Sequence, residues 1–381
     1  MSPEPFGIYV HWPFCAAKCP YCDFNSHVRS QIDDSDWLSE IGHELEYVAG
    51  LQGARPVVET IFFGGGTPSL MRGKSVAAVL DAIGSLWPIA SDVEITLESN
   101  PASADAERFH DYRLAGVNRL SLGVQALIDA DLKALGRLHD ATEAKAALRL
   151  AMHCFNRVSL DLIYARPQQT VQQWRSELKE ALAFGTDHLS LYQLTIEPAT
   201  PFATLARTGA LTVPDDDTAA SLYEATQELT AAAGVPAYEI SNHARPGAEC
   251  RHNQLYWRYG DYAGVGPGAH GRLTLGEQRI ATSTERLPER WRANVRSAGH
   301  AFVERSELSS QDAAREHLLM NLRLTEGVDL ARYESRWGIS LDREHIVSLE
   351  REGLLHASNG HLAATHAGRM VLNSVIAALA N

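Results

Sequence analysis

Cysteine is scarce in this chain, with five residues among 381. That usage excludes a disulfide-stapled scaffold and suits a reducing compartment, where thiolates stay free to bind metal. Long apolar runs are missing as well. No window reaches the roughly 18 apolar residues of a spanning helix. The opening residues MSPEPFGIYVHWPF show no charged segment followed by an apolar one, so no signal peptide is expected. A soluble, cytoplasmic protein is the expectation. Positive charge is also in short supply: 34 Lys and Arg stand against 47 Asp and Glu, a net −13. Nucleic-acid binding relies on neutralising phosphates, and no nucleic-acid partner is expected of so acidic a chain.

What is present is a 45% hydrophobic chain, long enough for one large domain and a smaller one. Short runs rich in Val, Ile, Leu, Phe and Tyr predict strands at residues 7–11, 59–63, 93–98, 119–123, 157–163, 188–194 and 237–240. Amphipathic periodicity predicts helices between them, at 36–49, 75–86, 103–114, 142–152, 171–184 and 217–233. Repeated β-then-α order points to parallel strands with right-handed crossovers. Six or seven units make a full or partial barrel; an open doubly wound sheet is the alternative.

The rhythm changes near residue 245, so three regions are expected. Residues 1–245 form the barrel, 246–303 a Gly- and aromatic-rich connection, and 304–381 a compact helical domain. In the last region helices are predicted at 313–323, 330–337, 342–352 and 367–379. Two short strands are expected about the Asn359-Gly360 turn. Helices followed by a hairpin resemble a winged helix; in an acidic chain it reads as a packing or partner domain.

Polar residues gather where a barrel enzyme places them, at the C-terminal ends of the strands. After the first strand comes CAAKCPYCDF, with Cys15, Cys19 and Cys22 spaced C-x3-C-x2-C. Structural zinc wants four ligands. A cubane iron–sulfur cluster on three cysteines keeps one iron open for an exogenous chelate, which the amino and carboxylate groups of S-adenosylmethionine can supply. Zinc with a distant fourth ligand is the competing reading. The remaining strand ends carry FFGGGTPSL, Glu98 in LESNP, Gln125 in SLGVQ and Asp161 in SLDLIYARP. Three glycines allow close backbone approach, and their N–H groups can face an anion. Singly, each of these features has an ordinary structural explanation. Five converging on one rim do not.

With these motifs the chain resembles a radical SAM protein. YVHWPFCAAKCPYCDFNSH, FFGGGTPSL, SLGVQ, SLDLIYARP, YEISNHARPGAECRHNQLYW and GVGPGAHG resemble the oxygen-independent coproporphyrinogen III oxidase-like family, and within it the HemW heme-chaperone branch. The resemblance runs from about Phe6 into the C-terminal region. It implies a partial (β/α)6 TIM-like barrel, an α/β fold, with a small C-terminal helical, winged-helix-like domain. It implies a 4Fe-4S cluster on Cys15, Cys19 and Cys22, and S-adenosylmethionine contacted by Tyr9, Gly65 and Glu98. In the oxidases a second S-adenosylmethionine is held at positions matching Tyr21, Gly66, Thr67, Gln125, Arg137 and Asp161. The chemistry implied is electron transfer from the reduced cluster into the sulfonium, giving a 5′-deoxyadenosyl radical.

Two departures separate the chain from the oxidases. Phe24 stands where they have a further cysteine, and only eight residues precede Tyr9. RHNQLYW matches the heme-associated motif of the HemW branch: His252 as a neutral imidazole, Asn253 beside it, and Tyr256 and Trp257 as flat faces for a porphyrin. Arg251 or Arg258 could pair with a propionate. The plainer reading makes His252 and Asn253 turn caps and the two rings core. Two functions are therefore expected to compete: a heme chaperone that hands heme to an acceptor protein, with a reductant for the cluster, and a coproporphyrinogen III dehydrogenase that turns propionates into vinyls. Whether the sulfonium is cleaved in function is left open, and so is a homodimer.

Overall fold

The computed structural model describes residues 5–29 and 31–380. Its frame is one eleven-stranded sheet. In chain order the strands are β1 (Phe6–Trp12), β2 (Val58–Gly65), β3 (Ile89–Ser99), β4 (Arg119–Gln125), β5 (Arg157–Tyr164), β6 (His188–Gln193), β7 (Asn242–Ala244), β8 (Asp261–Val265), β9 (His270–Leu275), β10 (Gln278–Thr284) and β11 (Phe302–Leu308). Their spatial order is β11-β10-β9-β8-β1-β2-β3-β4-β5-β6-β7. The strands from β8 to β6 are mutually parallel, and both flanks are antiparallel. β1 to β6 with their crossover helices form the six-unit partial barrel. The sheet does not close on itself.

The crossover helices are Ser35–Leu51, Gly73–Leu86, Ala106–Ala115, Ala141–Cys154 and Val171–Ala183, with Asp216–Ala232 after β6. Two start on reciprocal capping boxes, Asp140 with Glu143 and Thr170 with Gln173. Their apolar stripes pack on the sheet. Val76, Val79, Ile83, Leu148 and Trp174 are buried in one core with Ile8, Val10, Phe63, Leu97 and Leu160. Burying a side chain of this size contributes about 1.5–3 kcal/mol.

Three expectations change. The strand expected at 237–240 is instead a reversal. The Glu239 carboxylate accepts from the Ser241 N–H and the Asn242 side chain, which turns the chain so that Asn242–Ala244 pairs with β6. Residues 246–303 do more than connect: they carry two helices, Arg251–Trp257 and Pro288–Ala298, and the strands β8 to β10, and residue 303 itself lies within β11. The final helix is two, His366–Met370 and Leu372–Leu379, broken at Val371 (φ −123°, ψ 31°).

The C-terminal unit has its own core, including Leu318, Leu322, Tyr333, Leu362, Val375 and Ile376. Helices Ser310–Asn321, Leu330–Trp337 and Arg343–Arg351 precede the hairpin Leu355–Ser358/His361–Ala364, which Val328–Asp329 extends. Asn359 (φ 52°) and Gly360 (φ 80°) turn it, the left-handed pair a two-residue hairpin needs. Among the described residues no helix is long and apolar enough to cross a membrane.

Candidate functional site

β1 ends at Trp12, and the chain turns at once into the cysteine loop. Phe14–Cys15 pairs with His27–Val28 in a two-stranded ribbon that closes the loop at its base. His11 Nε2 donates to the Asn25 carbonyl (2.9 Å), and its Nδ1 accepts from the Tyr9 hydroxyl (3.0 Å). Asn25 donates to the carbonyls of Pro267 (2.8 Å) and Arg286 (2.9 Å). GVGPGAHG thus buttresses the loop from across the sheet. Gly268 has φ +81°, and a Cβ there would meet the Asn25 amide at 2.4 Å.

The three cysteines are free thiols at this end of the barrel. Burial pushes the Cys15 and Cys22 thiols above the ordinary value. Two donors reach toward the sulfurs: the Thr67 hydroxyl to Cys15 Sγ (3.3 Å) and Arg137 Nη1 to Cys19 Sγ (3.5 Å). The Thr67 contact favours the Cys15 thiolate. Among the described residues no three His, Cys, Asp or Glu side chains converge as a single metal ion requires. A cubane takes each thiolate on a different iron and makes no such demand.

The glycine loop lies against the cysteine loop. Gly66 N–H donates to the Trp12 carbonyl (2.7 Å), Thr67 N–H to the Phe14 carbonyl (2.8 Å), and Gly65 N–H to Glu98 Oε2 (3.2 Å). The Gly65 N–H thus faces a carboxylate, and the next two N–H groups tie the loop to the cysteine segment. Glycine is needed here for room. Gly65 has φ +109° with the His11 ring 2.6 Å from a would-be Cβ, and at Gly66 the Phe14 carbonyl oxygen would lie at 2.7 Å.

Side chains on β3, β4 and β5 face the lumen. Burial, then the charge of Asp161, pushes Glu98 up to about 8. Burial likewise raises Asp161, which accepts from Ser121 (2.8 Å) and Ser159 (2.7 Å). Gln125 is held at φ +73° and Arg137 donates to the Gly123 carbonyl (2.8 Å). Gln125 Oε1, Arg137 Nε and Ser99 Oγ are buried without a partner, the condition of groups that await a polar ligand. Tyr21 packs on Phe202. Tyr192 on β6 is 45% exposed.

RHNQLYW lies at the opposite end. Its helix meets the N-terminal ends of β2 and β3: Arg251 binds Asp92 (3.2 Å) and Glu59 (3.2 Å), and the His252 N–H donates to Glu94 (3.2 Å). His252 is 1% exposed and stacks on Phe62 (5.2 Å) and Tyr9 (6.5 Å). Its Nδ1 is bonded to the Thr60 hydroxyl (2.8 Å) and its Nε2 to the Tyr256 hydroxyl (2.7 Å). Burial pushes the imidazole down to about 3, so it is neutral. Neither nitrogen is free for iron in this arrangement. Asn253 donates to the Tyr238 hydroxyl (3.3 Å), and Trp257 packs beside Cys250 and Leu324. Arg258 is paired with Glu326 (2.7 Å) rather than open to a propionate. Burial pushes the Cys250 thiol up to about 12, and Cys154 packs on the main core.

The structure thus divides the expected residues between two ends of one barrel. Gly65, Gly66, Thr67, Glu98, Gln125, Arg137 and Asp161 gather with the cysteines, His252 to Trp257 close the floor, and Tyr9 lies between, bonded to His11 and stacked on His252. His11 was expected at this rim, after the first strand; Ser121, Ser159 and His188 carried no signal of their own. Ser159 and Asp161, two apart on a strand, share a face, so period-2 spacing could have found that pair.

The Radical SAM superfamily profile matches residues 9–181, and the HemN C-terminal domain profile matches 308–371. "Heme chaperone HemW" of Escherichia coli is 38% identical over 98% of this chain and 97% of that protein. The same-named protein of Mycobacterium tuberculosis is 36% identical, over 100% and 96%. "Radical S-adenosyl methionine domain-containing protein 1, mitochondrial" of Bos taurus is 38% identical, over 99% and 89%. Among solved structures, coproporphyrinogen III oxidase (HemN) from Escherichia coli shares the fold at a TM-score of 0.83, 22% identity, covering 99% of this chain and 90% of that one. Matched along nearly its whole length at this identity, the chain belongs to the HemW family of radical SAM proteins.

Proposed function

We propose that this protein is a heme chaperone: it binds heme and passes it to an acceptor protein. The observation that carries this reading is the near-full-length likeness, through both domains, to proteins named heme chaperones. The exposed Phe24 supports it, because the oxidases have a further cysteine there.

Cys15, Cys19 and Cys22 would hold a 4Fe-4S cluster, with S-adenosylmethionine as its further ligand. When bound, this pair supplies one-electron chemistry, with electrons drawn from a partner reductant. The chain's own residues bind and orient. Tyr9, Gly65 and Glu98 face the S-adenosylmethionine; Tyr21, Gly66, Thr67, Gln125, Arg137 and Asp161 shape the rest of the lumen. The partnerless Gln125 Oε1 and Arg137 Nε supply an acceptor and a donor there. Gly65 and Gly66 let this loop pack directly on the His11 ring and the Phe14 backbone, which sets the wall of the pocket. His252, Asn253, Tyr256 and Trp257 would serve heme from the floor, where the imidazole would reach iron by giving up either Thr60 or Tyr256 and keeping the other bond.

An anaerobic heme titration of the reconstituted protein, followed in the Soret band, tests this reading, with His252→Ala alongside. Stoichiometric binding that weakens in the variant is expected. Absence of specific binding, together with turnover of coproporphyrinogen, overturns it.

A further inference from the structure

A line of buried hydrogen bonds runs from the floor helix to the lumen carboxylate. The Asn253 amide donates to the Tyr238 hydroxyl (3.3 Å). Tyr238 Oη lies 3.0 Å from His188 Nε2. His188 Nδ1 lies 2.8 Å from Ser159 Oγ, which donates to Asp161 Oδ1 (2.7 Å). Ser159 and His188 are 0% and 1% exposed, and Tyr238 is 8% exposed.

The donor count gives this line a direction. Ser159 has one hydroxyl hydrogen, and Asp161 takes it. His188 Nδ1 must therefore donate to Ser159. Burial, and then Arg119 and Arg157, hold His188 neutral, so its Nε2 must accept from Tyr238. Every donor points toward Asp161. The reversed line is equally complete. A protonated Asp161 donates to Ser159, Ser159 to Nδ1, and Nε2–H to Tyr238. Tyr238 then needs an acceptor, which Asn253 offers through its amide oxygen. The two states differ in the His188 tautomer, in the proton on Asp161 and in the face Asn253 turns to Tyr238. Intermediate mixtures leave two donors or two acceptors facing each other in a dry interior, which is costly.

Other groups around the line hold their own places. Ser121 donates to Asp161, and Ser190 Oγ lies 3.1 Å from Ser159 Oγ and also acts on Asp161; Glu98 repels that carboxylate and Arg119 attracts it. Glu239, Cys250 and Arg119 face Tyr238, and His243 faces His188.

We propose that His188 is a tautomeric switch, with Tyr238 and Ser159 as positioning residues, that couples the floor helix to the S-adenosylmethionine pocket. This rests on the proposed roles of Asp161 and Asn253. A ligand that reorients Asn253 favours one state, and a ligand that needs ionised Asp161 favours the other. Heme and S-adenosylmethionine then change each other's affinity by the same factor.

The test uses the full chain with its cluster reconstituted. S-adenosylmethionine affinity is measured by equilibrium dialysis with and without one equivalent of heme, in the parent, Tyr238→Phe and Ser159→Ala. Two variants guard against one failing to fold, and a Soret titration reports heme binding separately. Heme is expected to shift the parent's affinity by roughly tenfold. In both variants each ligand still binds and the shift collapses toward one. Nitrogen-15 spectra of labelled histidine should show His188 changing tautomer with heme in the parent alone. A parent shift that survives intact in a folded variant overturns the switch, and so does heme that binds without altering affinity. Heme that does not bind at all overturns the chaperone reading and this inference together.

Discussion

The two ends of the barrel hold similar kinds of residue in opposite conditions. At the rim, Gln125 Oε1, Arg137 Nε and Ser99 Oγ are buried without partners, and Gly65 and Gln125 sit at positive φ. At the floor, His252 is bonded through both ring nitrogens and its backbone N–H. Unpaired polar atoms and strained backbone cost free energy in a ligand-free fold, and they persist where a ligand repays them. A saturated imidazole is the opposite case: it stabilises the fold and must be disturbed to act. Two motifs of equal prominence in the sequence therefore have different physical standing.

Substitutions can break this contrast in order of size. Cys19→Ala is the most severe, because removing one of three thiolates should abolish the iron–sulfur absorbance after anaerobic reconstitution. A normal spectrum would show that the ligand set is wrong. Gly65→Val comes next. Its φ of +109° and the His11 ring at 2.6 Å leave no room for a branched side chain. S-adenosylmethionine affinity should fall by at least about tenfold, with iron content preserved; unchanged affinity sinks the pocket role.

At the floor, Thr60→Val leaves His252 Nδ1 without its partner and buried. A loss of about 1–3 kcal/mol is expected from denaturant midpoints, and a loss near zero would mean that the floor is not a stabilising plug. The smallest effect has the opposite sign. Glu98, raised to about 8, costs nothing at pH values below its unfolded titration and progressively destabilises the ligand-free fold as pH rises through 8. Glu98→Gln removes that cost. Melting of the ligand-free protein should rise by roughly 2–4 °C at alkaline pH and much less in acid. Equal gains at both would mean that the carboxyl is not held protonated.

Much of this contrast could not be read ahead of the fold. The parallel βα order, the cysteine spacing and the Asn359-Gly360 turn each depend on residues close in sequence, and each stands where it was expected. The reversal at Glu239 depends on a carboxylate accepting from Ser241 and Asn242, which apolar content in 237–240 concealed. Strands β8 and β9 were concealed by Gly264 and Gly271, which the close packing of Gly264 on His270 and of Gly271 on Thr282 explains. The glycine loop allowed either a tight turn or N–H groups facing an anion; Gly65 N–H meets the Glu98 carboxylate, while the Gly66 and Thr67 N–H groups bond Trp12 and Phe14, partners that no local stretch names.

By itself the sequence determined the repeating units and the three-thiolate loop with its family resemblance, since periodicity, capping and ligand spacing act over a few residues. The tertiary structure alone decided which polar groups meet. Thr60 and His252 are 192 positions apart, and Tyr238 reaches His188 across 50. Such pairs form only when the sheet brings distant strands into register. Their worth comes from exclusion of water, a property of the closed interior that no local stretch possesses.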